Sequence, residues 1–60
     1  MAAISTEPSA ETIHQILRSA VSERQRLRQA GAERAALEAN RKAIVYWQAR
    51  LAQALARERV

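Results

Sequence analysis

Sixty residues make one domain at most, and a folded monomer of that size hides only about 60% of the surface its unfolded chain exposes. With no Cys and a single His, neither a disulfide framework nor a zinc site is available to staple so small a core, which leaves association as the route to stability. Ten basic residues against six acidic ones give a formal charge of +4, favouring an anionic partner, although nine of the ten are Arg beside abundant Ala, a bias that GC-rich coding in bacteria or their phages also produces.

Residues 1–8 have no helical period and hold the only Pro, so they read as a flexible N-terminal arm, with 9–60 as a single helical-hairpin domain. Met1 to Ile4 lead into polar residues, without the basic and apolar blocks of an export signal. The longest uncharged apolar stretch, Ala43 to Trp47, is far short of the roughly 20 residues of a membrane span. These features, with the missing Cys, predict a cytoplasmic protein.

The first helix is predicted over 9–30. Ser9 offers an N-cap, Pro8 blocks backward extension, and Glu11 meets the positive helix end; Thr6 is a competing cap three residues earlier. Ile13, Ile16, Leu17, Ala20, Val21 and Leu27 recur at helical steps and form one apolar stripe. Gly31, the only Gly, supplies a C-terminal stop and places a turn at Ala30 to Ala32. The alternative is one continuous rod that tolerates Gly31 at a cost of about 1 kcal/mol.

The second helix is predicted over 33–59, rich in Ala, Leu, Glu, Gln and Arg and free of breakers. Leu37, Ile44, Leu51 and Glu58 stand seven apart, and Asn40, Trp47 and Ala54 fall three later, giving an a/d seam that Leu55 widens. Val45, Ala49, Ala52 and Ala56 on one flank, with Ala36 and Ala43 on the other, extend the apolar circumference beyond what one short helix covers. The fold class expected is therefore all-α: a two-helix antiparallel hairpin pairing into a four-helix-bundle dimer. Its interface would be built from Leu37, Ile44, Trp47, Leu51 and Leu55, with Ile13, Ile16, Leu17, Val21 and Leu27 completing the core. Pairing about Gly31 sets Leu27 near Leu37, Ala20 near Ile44, Leu17 with Ile16 near Trp47, and Ile13 near Leu51.

No catalytic constellation, metal-ligand spacing, phosphate loop or cofactor motif is visible, and an enzyme is not expected. His14 has one carboxylate in reach, Glu11 at i−3, which reads as a surface pair. Glu38 with Arg34 or Lys42, and Glu23 with Arg26, are expected solvated ion pairs.

The seam carries two polar residues, Arg24 and Asn40, brought together by the antiparallel pairing. Either Arg24 snorkels outward and Asn40 lies at the rim, or the two form a hydrogen-bonded layer that fixes register. Trp47 reads as a core or interface anchor. Tyr46 lies about 100° away among Lys42, Arg50, Gln53 and Arg57, a pattern shared by nucleic-acid surfaces, protein interfaces and solvated faces. With Arg26, Arg28 and Arg34 near the turn, Lys42, Tyr46, Arg50 and Arg57 form a candidate anion-facing surface. Sequence-specific reading of DNA is disfavoured, because the second helix opens with Glu33, Arg34, Ala35 and Ala36, which offer little to read bases with. Attachment to a membrane surface is disfavoured too, since helix one lacks a bulky aromatic anchor.

The functional expectation is an oligomerisation or protein–protein interaction module in an adaptor, docking or regulatory role, binding itself and another protein. The alternative is a small basic nucleic-acid-binding regulator contacting phosphates through helix two and the turn.

Overall fold

The computed structural model describes residues 7–59. It contains two α-helices, α1 (Ala10–Gln29) and α2 (Arg34–Glu58), which turn back on each other and pack along their lengths. The predicted limits of 9–30 and 33–59 include the capping residues on either side of these spans.

Local chemistry explains each boundary. At the start of α1, Ser9 has extended backbone and its Oγ accepts from the Thr12 amide at 3.2 Å. Thr6 and the rest of 1–6 lie outside the described residues. At the end, the Gly31 amide donates to the Arg28 carbonyl at 3.1 Å and the Ala32 amide to the Leu27 carbonyl at 2.9 Å. That pair of backward bonds is a Schellman motif, and it requires the left-handed conformation that Gly31 adopts at φ 69°. A continuous rod is thereby excluded. Helix α2 opens less well: Glu33 is extended and makes no side-chain cap bond. High intrinsic helix propensity and packing on α1 carry that end.

A side chain at Gly31 would meet nothing within 4 Å, so any penalty for Gly31→Ala comes from the backbone angle alone. We expect it to cost about 1 kcal/mol and lower the melting temperature by roughly 4–8 °C, as read by thermal circular dichroism. Gly31→Asn, which tolerates this conformation better, should cost less.

The core is small. Ala10, Ile13, Leu17 and Ala54 are buried, with Ile44, Trp47 and Leu51 partly buried against them. This matches the pairing of Ile13 and Leu17 with the Trp47–Leu51 segment. Two alanines, Ala54 of the expected seam and Ala10, which the spacing did not place in the core, are among its most buried residues, because small side chains let the helices approach at the open end of the hairpin. Conversely, Val21, expected in the core, is 47% exposed, and Leu55 is 46% exposed. They stand on the flank of the contact rather than inside it. Ile16, Leu27 and Leu37 are half-buried.

The open end is tied by residues whose role the spacing did not reveal. Glu58 Oε2 accepts from the Ala10 amide at 2.8 Å, so the last turn of α2 caps the first turn of α1. Glu7 pairs with Arg57 at 2.9 Å, so this part of the expected arm lies against α2.

Candidate interaction surface

The two seam polars meet. Arg24 Nη1 donates to the Leu37 carbonyl at 3.2 Å and lies 3.4 Å from Asn40 Oδ1, while Asn40 Nδ2 donates to the Ala20 carbonyl at 3.0 Å. Of the two readings of these residues, the hydrogen-bonded layer is the one adopted. Both bonds to carbonyls cross from one helix to the other, and both groups are half-buried. A one-residue slip would leave a guanidinium and an amide without these acceptors.

Below that layer, one face of the hairpin opens as a shallow groove. Leu17, Ile44 and Leu51 line it, with His14, Arg18, Val21 and Gln48 at its edges. It continues past Ala10 and Glu11 to Leu55 at the open end. The half-exposed Val21 and Leu55 therefore belong to one apolar strip rather than to scattered sites.

Around α2, Tyr46 lies nearly opposite the groove-lining residues, and Trp47 packs against the core. The Tyr46 and Trp47 rings meet edge to face, with centroids 5.1 Å apart and planes at 85°. The Arg50 guanidinium sits over the Tyr46 ring at 5.9 Å from its centroid, and its Nη1 lies 3.4 Å from the phenol oxygen. The cation next to Tyr46 is thus engaged with the ring that a base would need for stacking. Tyr46 itself is 52% exposed and Trp47 half-buried.

Two other members of the expected anion-facing set are held by carboxylates. Arg57 is bound to Glu7, and Arg26 chelates Glu23 through Nε and Nη2. Glu38 pairs with Arg41, through bonds of 3.1 and 2.6 Å, instead of with Arg34 or Lys42 as the spacing suggested. The planar guanidinium at i+3 grips both carboxylate oxygens, which a single ammonium does not do. These hydrogen bonds hold the Glu23 and Glu38 carboxyls below their ordinary range. Their contribution is present above the unfolded-state value and is lost as pH falls through the folded one.

No helix among the described residues is long and apolar enough to cross a membrane, and no group of three potential metal ligands occurs among them. No protein-family model, curated protein or solved structure matches the chain.

Proposed function

We propose that the chain is a non-enzymatic helical-hairpin interaction module that acts by docking on protein, first of all on a second copy of itself in a four-helix arrangement. The observation that carries this reading is the mismatch between core and apolar surface. Among the described residues four are buried, two of them alanines, while Val21 and Leu55 remain about half exposed along the groove. A hairpin of this size gains too little from so small a core, and covering the apolar strip supplies what is missing. Leu37, Ile44, Trp47, Leu51 and Leu55 are the residues proposed to face the second copy or the hairpin core beside it. A cytoplasmic setting accords with this role.

Sedimentation equilibrium of the full chain tests it. Dimer is expected, and Leu55→Ala should weaken association by roughly tenfold or more, since about 1.5 kcal/mol or more of apolar burial disappears from each copy. Val45→Ala, on the outer side of α2, serves as the control and should leave association unchanged. A stable, cooperatively folded monomer at micromolar concentration would overturn the reading. Nucleic-acid binding is the competing function, with Lys42, Arg28 and Arg34 available for phosphates. The engagement of Arg26, Arg50 and Arg57 within the hairpin argues for the protein-docking role. Steep loss of affinity for a labelled duplex or single strand across a salt series would instead favour the phosphate-binding role.

A further inference from the structure

Resting on that reading, we infer that the second copy docks on the grooved face, like helix on like helix, in one antiparallel register centred between His14 and Gln15 of α1. The groove brings two new seams to one face. On α1 they are Glu11, His14, Arg18 and Val21; on α2 they are Ile44, Gln48, Leu51 and Leu55. Each set steps by three and four residues, the spacing of a second a/d stripe beside the one already used inside the hairpin. The α2 seam is aliphatic around one Gln, whereas the α1 seam is mostly charged or polar.

Two face-to-face arrangements keep every neighbouring helix antiparallel. In the first, α1 lies over α2 of the second copy, which presses Glu11, His14 and Arg18 onto Gln48, Leu51 and Leu55 and strips water from charges without giving them partners. In the second, like lies over like. Helix α2 then places Ile44 beside Leu55 of the second copy and Leu51 beside its Gln48, an aliphatic seam on an aliphatic seam. Helix α1 places Glu11 beside Arg18 of the second copy, and Arg18 beside its Glu11.

Both helices choose the same register independently. The charge match on α1 centres between His14 and Gln15, and the aliphatic match on α2 centres between Ala49 and Arg50. Stepping down both helices from the Arg24–Asn40 contact brings those two centres level. A single two-fold axis crossing the hairpin at that height satisfies both. The same register sets Arg41, already bound to Glu38, opposite Glu58 of the second copy, a pair of opposite charges. Glu11 and Arg18 are exposed in the single hairpin, so exchanging them leaves the fold of the chain intact.

Charge exchange and cross-linking test the register. Glu11→Arg and Arg18→Glu should each weaken dimerisation by roughly tenfold, because each turns two attractive rim pairs into repulsive ones. The double exchange should recover most of the loss. Since it keeps Arg at the helix start, recovery relative to Glu11→Arg reports the pairing and not the helix end. In the Cys-free background, His14→Cys should link to its own copy through a short thiol-to-thiol linker, whereas Tyr46→Cys on the opposite face should not. A wild-type chain that stays monomeric overturns the docking reading altogether. A dimer in which the exchange gives no rescue, or in which Tyr46→Cys links and His14→Cys does not, leaves docking standing and overturns this face and register.

Discussion

Replacing Ile13 by Ala is expected to unfold a large share of the protein at ambient temperature. Ile13 is 1% exposed and is the largest fully buried side chain among the described residues. It packs where α1 meets Ala54, with Ile44, Trp47 and Leu51 beside it. Removing its outer carbons costs about 2–5 kcal/mol in transfer and cavity terms. A domain of this length has a total stability on the order of 3–9 kcal/mol, so one truncation consumes much of it. Thermal circular dichroism should register a drop of roughly 10–30 °C. Val45→Ala removes carbons from a side chain that is 51% exposed and should shift the same melt by no more than a few degrees. Equal effects at the two sites would contradict the placement of the core.

The second large effect concerns the polar layer, and it changes sign with the number of residues replaced. Asn40→Ala leaves the Ala20 carbonyl with its helical bond alone and Arg24 with one acceptor fewer. The expected loss is about 1–3 kcal/mol, because two inter-helix bonds disappear, one of them from a half-buried guanidinium. Replacing both, Arg24→Leu with Asn40→Leu, removes the two polar side chains together and is expected to be neutral or stabilising by about 1–4 kcal/mol. The cost of the double replacement should appear in uniqueness: broadened amide resonances and a mixture of association states, because an all-aliphatic seam accepts slipped pairings. If Asn40→Ala melts with the wild type, the layer contributes nothing to stability. If the double variant retains one sharp set of resonances and one assembly, it contributes nothing to specificity.

Much of this architecture is legible from residue spacing. Ser9, the Ile13–Leu17 stripe and the lone Gly31 identify α1 and its stop, because capping and left-handed backbone are local problems with few chemical solutions. The heptad of Leu37, Ile44 and Leu51 identifies the inward side of α2. Ala54 stands on the a/d seam, but the depth of its burial, and any burial of Ala10, is not legible, because hydrophobicity ranks Ala low while burial at a close helix crossing rewards small size. Val21 shares the apolar stripe yet stands outside the core, because a helical stripe shows which residues share a side of one helix, not how far around that side the opposing helix reaches. The engagement of Arg50 with Tyr46 lies within reach of an i+4 reading, whereas residue types alone leave the pair equally a phosphate surface, a protein interface or a solvated face.

Local sequence, then, determined the number of helices, their ends and the reversal between them. Pairing about Gly31 brings Arg24 near Asn40, but only the packed hairpin decided their bonds to the Leu37 and Ala20 carbonyls and the meeting of Glu58 with the Ala10 amide. The physical reason is range. Caps and periodicity act over one or two helical turns, whereas these contacts join residues distant along the chain and depend on the axial offset and rotation of one helix against the other.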